Sequence, residues 1–170
     1  ASENDVTAAM MAAAISAGSE AMAMEPLVAS GPRSGIPHAT WRRRRIGANE
    51  GVFLELAASH DRYHAALMRS VWIGPPPAAV RSMMDTALKA LDAALEAMRP
   101  GAPCSDAHAV AQAVIDAAGY TAAFRKRIGY SIGVAFAPDW GEGAILSLFS
   151  DVARPLEPGM VFHLPATLRS

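Results

Sequence analysis

The sequence contains a single cysteine, Cys104, among its 170 residues. One cysteine excludes an intrachain disulfide framework and any metal site built from several thiolates. No apolar run approaches the roughly 20 residues of a membrane-spanning helix, which excludes a transmembrane helix. An excess of basic charge is also missing, since the formal net charge is −1 and a general nucleic-acid-binding domain is usually strongly basic. We therefore expect a soluble cytoplasmic protein with neither a membrane nor a nucleic-acid partner.

Hydrophobic residues make up 52% of the chain, yet only 6% are aromatic and much of the remainder is alanine. This composition favours helices and a core of modest size. Apolar periodicity and the Gly and Pro breakers predict an α+β order of elements rather than a regular βαβ repeat. The predicted helices cover residues 2–24, 78–98 and 105–118, and the predicted strands cover 51–58, 63–73, 120–136, 145–148 and 160–164.

Several local features refine these predictions. Ser2 or Asn4 is expected to cap the first helix and Ser105 the third. Five large apolar residues at helical spacing predict the core-facing stripe of the second helix: Met84, Leu88, Leu91, Leu95 and Met98. His60 and His108 are expected to be solvated, and Cys104 to be structural. The run of four arginines at 42–45 is interpreted as a solvated turn or a subunit contact.

Four short motifs occur in an order typical of one family. The string LEPGMVF at 156–162 is preceded by GYSIG at 129–133, by NEGV at 49–52 and by SG…PH within 30–38. Together they resemble the creatinase/aminopeptidase P superfamily, peptidase family M24, whose catalytic domain has the pita-bread fold. The resemblance implies one partial catalytic domain over 1–170, without the family's N-terminal domain or its final strands, and a homodimer.

A second set of strings is similar to the ectoine hydrolase subgroup of that family. These strings are LELA at 54–57, RYH at 62–64 with Arg69, and PDWGE at 138–142. The resemblance implies a hydrolase that opens a small cyclic amidine, or cleaves a related amide C–N bond, in a small-molecule substrate.

The resemblance also identifies where the family's two metal ions would be held. Metallopeptidases of this fold use two Asp, one His and two Glu, a hard donor set that activates a bridging water. Here those positions carry Glu55, Ala66, Tyr130 and Pro165, and the last falls beyond Ser170. Because a methyl group, a phenol and a proline ring replace three of the ligands, we expect no metal cofactor.

His38 occupies the PH position of the metal-free, creatinase-like branch, which implies that it is the catalytic acid and base. An imidazole suits this role because its unperturbed pKa lies near neutrality. The alternative is a loop histidine that bonds to the backbone.

Six further residues are predicted to bind substrate, each with a structural alternative. Glu55 would hold a cationic ring by a charge-assisted hydrogen bond, or else pair with Arg62 or Arg69. Trp140 would stack on that ring, or else pack in a turn. The remaining four are polar side chains that would line the same cleft or else satisfy local structure: His64, Tyr130, Glu142 and His163.

Three classes of function stay open at this point. The first is a metal-independent hydrolase of a small C–N substrate. The second is an Xaa-Pro dipeptidase or aminopeptidase-type metallopeptidase, which its substituted ligand positions argue against. The third is a non-catalytic pita-bread module that binds a partner. The chain is also short enough that, by itself, it is expected to lack part of the active-site wall.

Overall fold

The computed structural model describes residues 1–124 and 127–169. The chain divides into two compact units. The first comprises Ala1–Pro76 and Gly133–Trp140, and the second comprises Pro77–Ile132 and Gly141–Ser170. The described helices are α1 (Glu3–Ser16), α2 (Ala78–Ala97) and α3 (Cys104–Ala117). The described strands are β1 (Leu27–Ser30), β2 (Gly51–His60), β3 (Tyr63–Trp72), β4 (Gly129–Ser131), β5 (Ser147–Leu148) and β6 (Phe162–His163).

The first unit is built on a three-stranded antiparallel sheet in the order β1-β2-β3. The strands β2 and β3 form the hairpin that the alternating sequence predicts. Its two turn residues, Asp61 and Arg62, both have positive φ values, 49° and 65°. Two consecutive left-handed residues are the geometry that matches the twist of a tight hairpin. The strand β1 was not predicted, because a run of four residues carries little period-2 signal.

Helix α1 is shorter than predicted. Ser2 caps it as expected, since its hydroxyl accepts a hydrogen bond from the Asp5 amide and the Asp5 carboxylate accepts one from the Ser2 amide. The helix then ends at Ser16, so the prediction to residue 24 is wrong. Gly18 has a φ of 100°, and its amide donates to the Ile15 carbonyl. A left-handed glycine of this kind ends a helix and satisfies its last carbonyls.

The second unit packs α2 and α3 beside a small antiparallel sheet in the order β5-β4-β6. Its core consists mainly of small and aliphatic side chains from both helices and the sheet. α3 begins at Cys104 after Pro103, so the predicted cap at Ser105 is wrong. The amides of Cys104 and Ser105 instead donate to the carbonyls of Arg154 and Val152. These backbone acceptors replace the side-chain cap.

The apolar stripe of α2 is only partly buried. The fully buried positions are Ala90 and Ala94, whereas Leu88 and Leu95 remain about half exposed. The alanines lie in one core cluster with alanines of α3, and small side chains allow close approach of two helices. The predicted core stripe is therefore wrong for Met84, Leu88 and Leu95, which are exposed, and confirmed for Leu91 and Met98, which pack against the core. Within the described ranges, no helix combines the length and the apolar character needed to cross a membrane.

Candidate functional site

The loop that carries His38 is anchored by a buried carboxylate from α1. Glu3 is completely buried. Its Oε1 accepts hydrogen bonds from the amide and the hydroxyl of Ser30, both at 2.8 Å. Its Oε2 accepts from Arg33 Nη1 and from the Arg42 amide, both at 2.7 Å. One side chain thus ties the end of β1 to the start and the middle of the segment between β1 and β2.

A second layer of contacts supports this anchor. Arg33 Nη2 donates to the carbonyl of Thr40 at 2.7 Å. Arg44 donates to the Ser30 hydroxyl at 2.8 Å and forms a two-point pair with Glu50. Such bidentate pairs fix geometry as well as contribute energy. The arginine run at 42–45, predicted to be a solvated turn or subunit contact, therefore contributes Arg44 and the Arg42 backbone to an internal network.

The charge of Glu3 is stabilised by this network. Burial raises the pKa of Glu3, but the hydrogen bonds from Ser30 and Arg42 and the charge of Arg33 more than offset it, so the pKa lies below its ordinary value. The carboxylate is therefore ionised at neutral pH. His38 lies in the turn that this carboxylate holds, is exposed, and has a φ of 53°.

Glu55 lies on β2 with its residue 7% exposed. Its cross-strand neighbours are Leu27 on β1 and Met68 on β3. Ala66 pairs with Ala57, so it projects from the same face of the sheet as Glu55 at a diagonal position. The two positions that correspond to the family's first two metal ligands therefore share one face, and only Glu55 offers a donor there.

His64 on β3 is buried and bonded to the backbone through both ring nitrogens. Nε2 accepts a hydrogen bond from the Ala23 amide at 3.3 Å. Because Nε2 is then unprotonated, Nδ1 carries the hydrogen and donates to the Arg62 carbonyl at 2.9 Å. This arrangement favours the structural alternative for His64 over a substrate contact.

Tyr130 and His163 form a pair in the second unit. They are register partners on β4 and β6, and the Tyr130 hydroxyl lies 3.0 Å from His163 Nδ1. Burial lowers the pKa of His163 to about 4, so the ring is neutral at physiological pH. The Arg127 guanidinium lies 4.7 Å from the centre of the Tyr130 ring. A Cβ on Gly141 would lie 2.5 Å from Tyr130 Cε2, so this position requires glycine.

The last two predicted site residues differ in environment. Trp140, in the first unit, is 1% exposed, which favours its packing role. Glu142, in the second unit, is half-buried, and its amide donates to the Ser131 carbonyl at 2.8 Å. Of the seven predicted residues, His38, Glu55, His64 and Trp140 belong to the first unit and Tyr130, Glu142 and His163 to the second.

Two functional-looking residues escaped the sequence prediction. Glu3 was treated only as part of a helix, and no local signal marks a partner 27 or 39 residues away. His108 was predicted to be solvated, which is wrong, since it is only 7% exposed. It lies on the same face of α3 as the buried residues Cys104, Ala111 and Ile115. Its helical spacing from these apolar residues was the sequence signal that could have predicted its burial.

Comparison with known proteins decides the family. Residues 1–168 match metallopeptidase family M24. The chain belongs to this family. This M24 chain is 34% identical over 146 residues to ectoine hydrolase from Halomonas elongata. The aligned region covers 86% of the chain and 36% of that protein. The chain is 29% identical over 117 residues to Xaa-Pro dipeptidase from Pyrococcus furiosus, covering 69% of the chain and 34% of that protein.

The fold of this M24 chain matches solved structures of the family. Prolidase from Pyrococcus furiosus superposes with a TM-score of 0.87 at 26% identity, covering 96% of the chain and 47% of that structure. The predicted family, the α+β pita-bread class and the resemblance to ectoine hydrolase are thereby confirmed. The chain spans about a third of the length of the curated relatives quoted above.

At two of the positions where the family's paired metal ions would be held, this M24 chain carries side chains other than the expected ligands. Ala66 offers a methyl group beside Glu55, and Tyr130 is engaged with His163 and Arg127. In residues 1–124 and 127–169, no three His, Cys, Asp or Glu side chains lie together in a way that would hold a metal ion. Hard divalent cations require several oxygen or imidazole donors at one point.

Proposed function

We propose that this chain is part of an M24 hydrolase that cleaves a C–N bond of a small amidine or amide without a metal ion. The observation that carries the proposal is the sheet face on which Glu55 stands diagonally beside Ala66, so that only one of the family's first two ligand positions carries a carboxylate. A single carboxylate suits a cationic substrate better than a pair of divalent ions. The similarity to ectoine hydrolase supports the choice of a cyclic amidine.

In this proposal His38 performs the proton transfers. The imidazole accepts a proton from a water molecule while the water oxygen adds to the amidine carbon. The bond from that carbon to one nitrogen then breaks, and the imidazole returns the proton to the leaving nitrogen. The product is an N-acyl diamine. Exposure of His38 in its turn gives it access to water.

Glu55 is proposed to hold the substrate cation. Glu55 is buried, and a buried carboxylate makes strong, short hydrogen bonds to the N–H donors of a charged amidine. The Tyr130–His163 pair, Glu142, His64 and Trp140 remain predictions as substrate contacts. Because His64 bonds to backbone through both nitrogens, we expect it to affect stability more than turnover.

Two variants test the role of His38. His38→Ala is expected to reduce ectoine hydrolysis by about a hundredfold or more, because general acid–base groups contribute about 10² to 10⁴ in rate. His60→Ala is the matched control, since its side chain is 84% exposed at the β2–β3 turn. The assay follows N-acetyl diamino acid formation by mass spectrometry, in the 170-residue chain and in the full product of its gene. Full turnover by His38→Ala would remove His38 from the mechanism.

A second candidate function is that of an Xaa-Pro dipeptidase. It is supported by the similarity to the Pyrococcus furiosus enzyme and by the superposition on prolidase. Hydrolysis of an Xaa-Pro dipeptide that depends on added Mn²⁺, with no turnover of ectoine, would favour it over the first proposal. The homodimer and the cytoplasmic location stay predictions, to be tested by analytical ultracentrifugation and cell fractionation.

A further inference from the structure

A cavity of about 850 Å³ opens in the second unit between α3 and residues 149–153. None of the seven predicted site residues lines it. Its lining combines aromatic, polar and acidic side chains: Ser105, His108, Gln112, Asp116, Phe124, Phe149 and Asp151, with four small residues between them. The volume is within the range of small-molecule sites, which is about 300–1,000 Å³.

His108 is the buried polar residue of this cavity. Its ring lies 5.6 Å from the Phe124 ring and 4.9 Å from the Phe149 ring, measured between centres. Nδ1 is enclosed and has no hydrogen-bond partner among the residues that the structure describes. Burial also lowers the pKa of His108. The ring is therefore neutral at physiological pH.

The enclosed Nδ1 determines which nitrogen carries the hydrogen. A neutral imidazole has one donor and one acceptor nitrogen. Orphaned buried N–H groups are rarer in proteins than under-used acceptors, so the hydrogen belongs on Nε2. His108 lines the cavity, so an N–H donor on its ring calls for an oxygen acceptor on a ligand.

The rest of the lining includes two carboxylates and an aromatic ring. Hydrogen bonds from Thr121 and Gln112 lower the pKa of Asp116, which keeps it ionised, and Asp151 adds a second carboxylate. Among the described lining residues there is no lysine or arginine to neutralise them. Phe149 lines the cavity and remains 41% exposed. Carboxylates beside an aromatic face are the surroundings that a planar nitrogen cation prefers.

We propose that this cavity binds a small molecule that carries a guanidinium group and a carboxylate or carbonyl oxygen. The guanidinium would lie on Phe149 with its N–H groups toward Asp116 and Asp151, and the oxygen would accept from His108 Nε2. The inference is independent of the proposed C–N hydrolysis, since it uses no residue assigned to that reaction. It describes a second ligand site in the chain.

Free arginine is the probe that tests this site, and citrulline is its neutral isostere. We titrate each into the ¹⁵N-labelled 170-residue chain and follow the amide and histidine-ring resonances. Arginine is expected to shift the resonances of His108 and Phe149 saturably, and citrulline to bind about tenfold more weakly, because it loses the charge-assisted hydrogen bonds. Equal binding of the two, or no shift at either residue with arginine, would overturn the proposal.

Asp151→Asn is the variant of choice. Asp151 has a φ of 65°, a backbone conformation that asparagine also tolerates, so the substitution removes charge without straining the loop. It is expected to weaken arginine binding about tenfold. Asp92→Asn is the control, since Asp92 is an exposed carboxylate of α2 outside the cavity. An equal loss in both variants would show that arginine responds only to net charge, and would contradict the assigned site.

Discussion

Replacement of Glu3 by glutamine tests whether the buried carboxylate anchors the loop that carries His38. Each carboxylate oxygen of Glu3 accepts two hydrogen bonds, one pair from Ser30 and the other from Arg33 and the Arg42 amide. A glutamine amide has only one oxygen. Whichever way it is oriented, its NH₂ group faces two donors that then have no acceptor. The variant Glu3→Gln therefore loses two hydrogen bonds and the charge that Arg33 faces.

The expected cost follows from those contacts. Hydrogen bonds to charged groups contribute about 1.5–3 kcal/mol each, and breaking a buried ion pair by removing one partner costs about 3–5 kcal/mol. We expect Glu3→Gln to lower the free energy of unfolding by about 3–5 kcal/mol, a large part of the total stability of a typical domain. The measurement is urea unfolding at pH 7 followed by circular dichroism.

A surface ion pair provides the matched control. Glu157 lies 3.5 Å from Arg154, and both side chains are more than half exposed. Glu157→Gln is expected to change the free energy of unfolding by less than about 1 kcal/mol. Amide hydrogen exchange should also accelerate, in Glu3→Gln alone, at whichever of the Ser30 and Arg42 amides faces the new NH₂ group. A loss below about 1 kcal/mol in Glu3→Gln, or unchanged exchange at those two amides, would refute the anchoring role.

Three further predictions concern pH, packing and reactivity. Burial lowers the pKa of His163 from 6.5 to about 4, so between these pH values the unfolded chain binds a proton that the folded chain excludes. The free energy of unfolding should therefore fall as the pH is lowered from 6.5 to about 4. In urea unfolding, His163→Phe should flatten this pH dependence, whereas the control His60→Phe should not. Gly141→Ala should lower the free energy of unfolding by about 1–3 kcal/mol, because its Cβ would meet the Tyr130 ring; a neutral effect in thermal unfolding would show that the ring moves freely. Burial raises the pKa of the fully enclosed Cys104 thiol. A thiol reagent at pH 7 should therefore react with Cys104 only after urea is added. Rapid reaction of the native chain would contradict that burial.

The Glu3 contribution has its own pH signature. A carboxyl group with a lowered pKa in the folded state stabilises the fold above its ordinary pKa and loses that contribution as the pH falls. The ordinary value for this glutamate is 4.5. The loss on acidification below about pH 4.5 should therefore be smaller in Glu3→Gln than in the natural chain.

The parts of the fold that the sequence predicted are those fixed by local chemistry. The hairpin of β2 and β3 was predicted from residues 51–58 and 63–73, because alternation of apolar and polar side chains is a local signal for strands. The Ser2 cap follows from a hydroxyl followed three residues later by the Asp5 carboxylate. The family itself follows from several short motifs that occur in the expected order along the chain.

The parts that were missed depend on distant partners. Glu3 acquires its role from Ser30 and Arg42, far along the chain, and no periodicity encodes that contact. The buried side of α2 is set by alanines that approach α3, so larger residues such as Leu88 stay exposed. His108 is hidden by Phe149 from a different segment. In each case the contact arises only when the chain has folded.

The most direct test of the central claim is ectoine turnover by the full gene product after dialysis against excess chelator. The account predicts hydrolysis at the same rate as before dialysis, because Ala66 stands beside Glu55 where a second metal ligand would be needed. Activity that disappears with the chelator and returns with Mn²⁺ would contradict it, and would place this chain with the metal-dependent peptidases of its family.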